Sequence, residues 1–430
     1  MSDKTKLSTE SYKGVRDFYP EDLFIQNYIF NTWKEVVEKF GYVEYSASLL
    51  ESAELYRAKS GEEIVNEQTY TFTDRGDREV TLRPEMTPTV ARLVAAKENE
   101  LAFPLRWYSI PNLFRYEKPQ RGRLREHWQL NVDLFGVENR SADTEIITVG
   151  YEIMKKFGAK DTDFSIKINN RKIVNALYGK FGLNPENSNK ASKVIDKKAK
   201  MSPDGFETAL EELLNDKTKD FISLLESDEK LLEYIGIENP DVKDLVATID
   251  ELLSAGIENI VFDPTLMRGF DYYTGMVFEV FDLSPENNRS LFGGGRYDDL
   301  TSLFGEKKIP AVGFGEGDVT MKDFLETHEL LPKYKPSTDL YICLLGDEFR
   351  SKGNEIAKKL REKGVNVAVD LSQKKLGEQI KIADRQKIPF IICVGENEIN
   401  SGIYPLKNML TGVESKIKIE EVSAIIRNHS

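Results

Sequence analysis

The middle of the chain differs in character from the sequence on both sides of it, and this difference constrains the fold more than any other feature. Residues 172–256 are acidic, helical by pattern and poor in strand-like runs, as in ALEELLNDKTKDFISLLESDEKLLEY. Short strand-like runs precede this segment, and strands return after residue 257 in NIVFDP, GMVFEVF, LFGGGRYDDL and AVGFGEG. The pattern predicts an insertion of about 85 residues that splits one strand-rich domain.

The strand-rich parts also contain helical patterns. EDLFIQNYIFNTWKEVVEKF (21–40) has apolar residues at helical spacing. RWYSIPNLFRYE and EHWQLNVDLFGV predict two strands around a loop at 117–125. We therefore expect one α+β domain in two parts, residues 1–171 and 257–331, interrupted by a helical insertion at 172–256.

The C-terminal part of the chain predicts a separate small domain. LPKYKPS (331–337) is typical of a linker. After it, strand-like runs (DLYICLLG, VNVAVDL, PFIICVG) alternate with helical ones (KGNEIAKKLREKG, KLGEQIKIADRQ). This alternation predicts an α/β domain with a mainly parallel sheet at residues 336–430.

Charge is distributed unevenly along the chain. The net charge of -13 argues against binding nucleic acid over the whole surface. However, RYEKPQRGRLR (115–125) has five basic residues and one acid, and residues 336–430 carry a net charge of +2, from 15 basic and 13 acidic residues. A basic strip on an acidic body fits selective contact with a phosphate-rich ligand. The alternative is a solvated charged hairpin.

Several classes of protein are disfavoured. No run of 18 apolar residues is present, so we expect no membrane span, and the polar N-terminus resembles neither a signal nor a transit peptide. Cys343 and Cys393 lie in apolar runs and are expected to be buried thiols in a reducing compartment. The chain's three histidines cannot build a zinc site unaided.

Two glycine-rich stretches, GGGR (293–296) and GFGEG (313–317), adjoin predicted strands. Glycine lets a backbone approach a ligand closely, although it also permits tight packing alone. Neither stretch matches a phosphate-binding P-loop or the strand–GxGxxG–helix pattern of a dinucleotide fold. A P-loop enzyme or a dehydrogenase is therefore not expected.

Six motifs occur together in a fixed order: KGVRDFYP (13–20), LRPEMTP (82–88), FRYEKPQRGRLREHWQLNVDLFG (114–136), RGFDYYTG (268–275), GGGRYDDL (293–300) and PAVGFGEG (310–317). In this combination the chain resembles the histidyl-tRNA synthetase family of class II aminoacyl-tRNA synthetases. The segment 369–398 resembles that family's anticodon-binding domain. The resemblance implies an antiparallel sheet core flanked by helices, a C-terminal α/β anticodon-binding domain, a homodimer and a cytoplasmic location. It also implies ATP-dependent charging of tRNA with histidine through histidyl-adenylate, with Mg²⁺ on the nucleotide.

The resemblance also assigns roles to individual residues. Arg115 and Arg268 are expected to flank the α-phosphate as catalytic residues, because guanidinium groups counter charge that develops in nucleotidyl transfer. Matching positions predict a histidine site formed by Glu85, Thr87, Arg115, Gln129, Asp133, Arg268, Tyr272, Tyr273 and Tyr297. They predict ATP contacts at Arg115, Glu117, Arg123, Gly315 and Gly317, and tRNA contacts at Gln120, Arg121, Arg125, Lys374 and Lys375. The alternative for the two lysines is a solvated helix face.

The chain departs from the family pattern at three positions. Thr320 stands where the last class II signature usually has an arginine that contacts ATP, so we expect Arg121, Arg123 or Arg125 to hold the triphosphate. Ser48 stands where the first signature usually has a proline on the dimer-forming strand. Asp133 stands where many members have glutamate, and its shorter side chain is expected to reach the ring through a water.

Three alternatives remain open from the sequence. One is a non-catalytic relative that acts as the regulatory subunit of ATP phosphoribosyltransferase, although such proteins typically lack the anticodon-binding domain. Another is an RNA-binding regulator with a synthetase-like body and no ATP turnover. The third is a class II enzyme for another amino acid, which would leave RGFDYYTG unexplained.

Overall fold

The computed structural model describes residues 7–57, 68–267, 272–305 and 307–427 of the 430-residue chain. The described residues form two compact units, which divide between Pro332 and Lys333. Each unit has its own sheet and its own hydrophobic core. None of the helices described is both long enough and apolar enough to cross a lipid bilayer.

Within the described residues, the first unit contains these strands: β1 Val43–Glu44, β2 Leu50–Ser52, β3 Tyr70–Thr73, β4 Glu79–Leu82, β5 Leu105–Ser109, β6 Asn112–Phe114, β7 Glu126–Phe135, β8 Phe164–Asn170, β9 Ile260–Phe262, β10 Met276–Asp282, β11 Ser290–Arg296 and β12 Ala311–Gly317. Its α-helices are α1 Pro20–Lys39, α2 Ala53–Arg57, α3 Thr87–Ala96, α4 Ser141–Lys156, α5 Arg171–Phe181, α6 Pro185–Asp196, α7 Pro203–Leu214, α8 Thr218–Leu225, α9 Asp228–Ile235, α10 Pro240–Ser254 and α11 Asp318–Thr327.

One large sheet forms the centre of this unit, in the order β1-β5-β7-β12-β11-β10-β8-β9, with β6 paired to the start of β7. Neighbouring strands from β5 to β8 are antiparallel. At the two edges, β1 is parallel to β5 and β9 is parallel to β8. The predicted α+β class is therefore confirmed, and the antiparallel core ends in parallel pairs that the sequence did not indicate. Strands β2, β4 and β3 form a separate small antiparallel sheet.

The two faces of the large sheet differ in character. Alternate residues of β7 pack in the hydrophobic core together with Trp33 of α1 and Ile146 of α4: Leu130, Val132 and Leu134. Because successive side chains of a strand point to opposite faces, the intervening residues of β7 point away from this core. That second face carries the functional site.

Residues 171–254 form α5 to α10 and no strand, in a stretch whose backbone is described throughout. The helix starts follow local sequence signals, since the side chains of Asn184, Ser202 and Ser227 each accept a hydrogen bond from a first-turn N–H. Proline at the first helical position of α6 and α7 costs no hydrogen bond. The domain boundaries drawn from the sequence remain predictions.

The second unit contains strands β13 Leu340–Leu344, β14 Val367–Val369, β15 Phe390–Val394, β16 Tyr404–Asn408 and β17 Glu414–Ile417, and helices α12 Arg350–Glu362, α13 Leu376–Arg385, α14 Glu396–Ser401 and α15 Ile419–Arg427. Its sheet has the order β14-β13-β15-β16-β17. The first three strands are parallel, whereas β16 and β17 are antiparallel to their neighbours. The expectation of a mainly parallel sheet therefore holds only for the first three strands. The short connections after β15 and β16 are the reason, since a parallel crossover needs a dozen or more residues.

Candidate active site

A cavity of about 40 Å³ opens on the face of the large sheet that α1 and α4 leave uncovered. Strands β7, β11 and β12 form its floor. The residues that line it are Glu85, Thr87, Arg115, Gln129, Asn131, Asp133, Tyr272, Tyr273, Gly293, Tyr297, Gly313, Phe314 and Gly315. Eight of these residues belong to the histidine site predicted from the sequence. Arg268, the ninth residue of that predicted site, lies outside the described residues.

Glycines of β12 make room for the polar side chains of β7. Gly313 lies opposite Asp133 in the register of the two strands. A Cβ atom at Gly313 would collide with Asp133 Oδ1, and one at Gly315 would lie 2.7 Å from Gln129 Nε2. The glycine-rich stretch 313–317 therefore lets the side chains of Asp133 and Gln129 lie directly against the backbone of β12.

Asp133 and Tyr297 form a buried acid–phenol pair at the bottom of the cavity. The Tyr297 hydroxyl donates a short hydrogen bond to Asp133 Oδ1. Burial raises the pKa of Asp133 to about 7, and the bond from Tyr297 opposes this shift. Burial also raises the pKa of Tyr297 well above its usual value, with the Asp133 charge adding to the effect. The pKa of this carboxyl group therefore lies close to that of an imidazole, which is about 6.5.

A second carboxylate, Glu85, lies at the other side of the cavity, just before the start of α3. It is 3% exposed and accepts a hydrogen bond of 3.2 Å from the Tyr272 hydroxyl. The Tyr272 ring packs against Tyr273 and Tyr297, with ring centroids 4.8 and 5.8 Å apart. The tyrosines therefore form an aromatic wall between two carboxyl groups.

Arg115 follows β6 and is oriented by a backbone contact. Its Nε donates to the carbonyl oxygen of Pro84 at 2.9 Å. Since Nε is used in this way, the terminal nitrogens of the guanidinium group remain for the cavity that Arg115 lines. A cavity with two carboxyl groups, one guanidinium group and a tyrosine wall can bind a zwitterion that also carries a polar ring.

A family model described as histidyl-tRNA synthetase matches residues 14–316. The chain belongs to the histidyl-tRNA synthetase family. A model described as an anticodon binding domain matches residues 339–429, within the second unit. Both parts of the resemblance drawn from the motifs are thus confirmed.

Individual relatives agree with this assignment. A curated histidine–tRNA ligase from Leptospira biflexa is 44% identical over 410 residues, which cover 94% of this chain and 94% of that relative. The solved histidyl-tRNA synthetase of Nostoc sp. PCC 7120 has the same fold, with a TM-score of 0.84 at 22% identity over 99% of this chain and 100% of that one. A Bacillus halodurans C structure, described as an ATP phosphoribosyltransferase regulatory subunit/histidyl-tRNA synthetase, is 26% identical with a TM-score of 0.75, over 91% of this chain and 100% of that one.

The basic loop 117–125 follows Arg115 in the chain, but none of its residues lines the cavity. Arg123 faces Glu117 at 3.6 Å, and its backbone pairs with that of Gln120. Arg121 donates to the Glu286 carbonyl at 3.2 Å, and Arg125 lies 4.0 Å from the centre of the Tyr116 ring. Of the predicted ATP residues, only Arg115 and Gly315 line the cavity, whereas Glu117, Arg123 and Gly317 do not.

Two positions that depart from the family pattern have local partners. The Thr320 hydroxyl donates to the carbonyl oxygens of Leu291 and Gly317, at 2.9 and 3.1 Å. The Ser48 hydroxyl accepts from the Leu50 backbone N–H at 3.2 Å. Thr320 therefore uses its side chain to hold the start of α11. In the second unit, Lys374 and Lys375 are exposed just before α13.

Four residues of the cavity were not assigned to the site from the sequence: Asn131, Gly293, Gly313 and Phe314. The last three lie in the glycine-rich stretches 293–296 and 313–317, which the sequence did single out. Asn131 could have been found, because it lies between Gln129 and Asp133 on the same face of a strand with a period of two. Its Nδ2 donates to the Gln129 carbonyl at 3.0 Å. The glycine-rich stretch 313–317 contains Phe314, but the residue type gave no reason to assign it to the site.

Proposed function

We propose that this protein activates L-histidine with ATP to give histidyl-adenylate and transfers the histidyl group to the 3′ end of its cognate tRNA. The observation that carries the proposal is that Glu85, Arg115, Asp133 and the tyrosine wall line one cavity. Glu85 is complementary to the ammonium group of histidine, Arg115 to its carboxylate, and Asp133 with the tyrosines to its imidazole. Membership of the histidyl-tRNA synthetase family supports the same reaction.

The first step joins two anions, which sets the main demand on the site. A carboxylate oxygen of histidine attacks the α-phosphorus of ATP, the bond to the β-phosphate bridge breaks, and pyrophosphate leaves. In this proposal Arg115, which lines the cavity, holds the attacking carboxylate and counters charge on the α-phosphate. In this proposal Arg268 assists it from the RGFDYYTG motif. The tRNA ribose hydroxyl then attacks the acyl carbon, and AMP leaves.

Recognition of the imidazole depends on the polar end of the cavity. In our proposal Asp133 accepts from one ring N–H, with Tyr297 fixing the carboxyl and Tyr273 beside the ring. An apolar amino acid would leave these buried groups unpaired, so the site would discriminate against it by roughly 10⁴-fold or more. Glu85, with Thr87 and Tyr272, would bind the ammonium group, and Gln129 would assist at the carboxylate.

The ATP and tRNA contacts belong to the same proposal. Glu117, Arg123, Gly315 and Gly317 would contact ATP, and Gln120, Arg121 and Arg125 would contact the acceptor end of the tRNA. Lys374 and Lys375 would contact the anticodon region, a role that the family match of the second unit supports. The described residues contain no cluster of three or more metal-ligating side chains, which fits Mg²⁺ that arrives on the triphosphate and keeps several waters. When bound, the ion would neutralise phosphate charge.

We further propose that the protein works as a homodimer in the cytoplasm, where ATP and tRNA are available. Exposed apolar side chains on β1, β2 and β3 support a self-associating surface: Val43, Leu50 and Phe72. Sedimentation equilibrium would test the dimer, and a monomer at micromolar concentration would contradict it. The domain division at 172–256 and 336–430 is likewise a proposal, which limited proteolysis would test.

The decisive experiment for the reaction is histidine-dependent exchange of pyrophosphate into ATP by purified protein with Mg²⁺, using a panel of amino acids. We expect exchange with histidine alone. Absence of exchange in folded protein would refute the enzyme and favour the regulatory role that is part of the description of the Bacillus halodurans relative. Exchange with another amino acid would refute the specificity.

A further inference from the structure

Arg83 is a buried arginine whose guanidinium group is held by carbonyl oxygens. The residue is 6% exposed. Nε donates to the Asn112 carbonyl at 3.0 Å, and Nη2 donates to Asn112 Oδ1 at 3.3 Å. Nη1 donates to the carbonyls of Ala47 and Ser48, at 2.8 and 3.3 Å. Most of the N–H groups of this side chain therefore donate to two segments that are distant in sequence, 47–48 and Asn112.

No carboxylate of the described residues forms an ion pair with this charge. Glu51 acts on it only from farther away and pairs instead with Arg92, at 2.6 Å. Burial lowers the pKa of Arg83, which reflects the cost of removing its charge from water. An apolar side chain of similar volume would avoid this cost, so stability alone does not account for an arginine here.

Arg83 links its own segment, which carries Glu85, to the segment 112–115, which carries Arg115, and both Glu85 and Arg115 line the cavity. Its own backbone continues the connection, because Arg83 N donates to the Leu49 carbonyl and Phe114 N donates to the Arg83 carbonyl, both at 3.0 Å. Glu85 follows Arg83 by two residues, and Arg115 follows Phe114 directly. The Arg115 Nε then bonds the carbonyl of Pro84, between Arg83 and Glu85.

We propose that Arg83 is a positioning residue, which sets the separation between Glu85 and Arg115 that the bound amino acid requires. The inference rests on the proposed function, because Glu85 and Arg115 are the assigned partners of the ammonium and carboxylate groups. Those two groups lie on one carbon atom, so a shift between the 83–85 and 112–115 segments weakens both contacts together.

Steady-state pyrophosphate exchange tests this role with the full-length protein. The variants are Arg83→Met, which removes the donors, and Arg83→Lys, which keeps the charge but not the planar fork. Arg78→Met is the matched control, since Arg78 lies in the turn between β3 and β4 with its side chain 78% exposed and paired to Asp74. Circular dichroism and sedimentation would report folding and assembly.

We expect R83M to raise the KM for histidine about 10- to 100-fold, with a smaller change in the KM for ATP, because misplacement by about 1 Å has effects of this size. R83K should lie between R83M and the wild type. Loss of folded protein alone would lower kcat and leave KM unchanged, so the KM for histidine separates positioning from stability. A histidine KM in R83K and in folded R83M equal to that of R78M would overturn the proposal. If R83M does not fold, R83K decides by the same criterion. A wild type without histidine-dependent exchange would overturn the proposed function itself.

Discussion

Replacement of Glu316 by glutamine should remove a loss of stability that develops as the pH rises. Glu316 lies on β12, on the face covered by α1, and is fully buried. Its Oε1 accepts a 2.8 Å hydrogen bond from Trp33 Nε1, whereas its Oε2 is buried with no partner among the described residues. Burial raises the pKa of Glu316 from 4.5 to about 8, and the Trp33 bond opposes the shift. The folded protein therefore holds this carboxyl in its neutral form at pH 7.

The sign and size of the effect follow from linkage. The folded state binds the proton more tightly than the unfolded state, so the stabilising contribution is complete below pH 4.5 and is lost as the pH rises through 8. The loss is about 1 kcal/mol at pH 5 and about 5 kcal/mol at pH 9. Glutamine is neutral at every pH and keeps an oxygen for Trp33. The stability advantage of E316Q should therefore grow by about 4 kcal/mol between these two pH values.

Urea unfolding followed by tryptophan fluorescence is the assay, because Trp33, Trp107 and Trp128 all lie in the first unit. Glu326→Gln on α11 is a matched control, since the Glu326 side chain is 48% exposed and water screens its charge. We expect E326Q to follow the wild type from pH 5 to 9. A constant difference between E316Q and the wild type over this range would refute the reasoning, since it would mean that Glu316 is already ionised in the folded protein.

Three further predictions concern the site. Asp133→Asn should stabilise the first unit by about 4 kcal/mol at pH 8, because the raised pKa of Asp133 makes the wild type lose stability as the pH rises from about 4 to 7. The same variant should reduce histidine-dependent exchange by about 100-fold or more, and a variant that keeps full activity would contradict the role of Asp133. Gly315→Ala should raise the KM for histidine about tenfold, because its Cβ would press on the Gln129 amide. Gly179→Ala in α5, whose added Cβ would have no described atom within 4 Å, should only add up to about 1 kcal/mol of stability; equal kinetics in the two variants would refute this account of Gly315. A Lys374→Ala/Lys375→Ala double variant should weaken tRNA charging several-fold and leave pyrophosphate exchange intact. The control Lys358→Ala, at another exposed lysine, should change neither activity. Unchanged charging in the double variant would favour a solvated surface.

Local patterns account for the parts of the structure that the sequence predicted well. The run of helices at 171–254 follows from cap residues such as Ser202 and from apolar spacing, which act over a few residues. Of the two strands predicted around the loop 117–125, the second is β7, whereas the structure divides the first into β5 and β6. The antiparallel strands β16 and β17 were missed, because YPLKN and ESKI are short and polar and are held in place mainly by strand pairing.

The site shows the same division. Motif order alone named eight residues that the fold gathers around one cavity, although Glu85 and Tyr272 are 187 positions apart. The sequence could not indicate that Arg123 lies outside that cavity, or that Thr320 bonds to Leu291. Those outcomes depend on which side of a loop or helix faces its neighbours.

The amino-acid sequence by itself determined the family, most of the helices and strands and the chemical identity of the polar groups, because these reside in local pattern and side-chain type. Only the tertiary structure decided what each polar group experiences. Glu316 and Asp133 have pKa values raised by burial, and Arg83 lies among backbone carbonyls, because packing of distant segments removes these side chains from water. Desolvation and hydrogen-bond geometry are properties of the assembled fold, and no short stretch of sequence carries them.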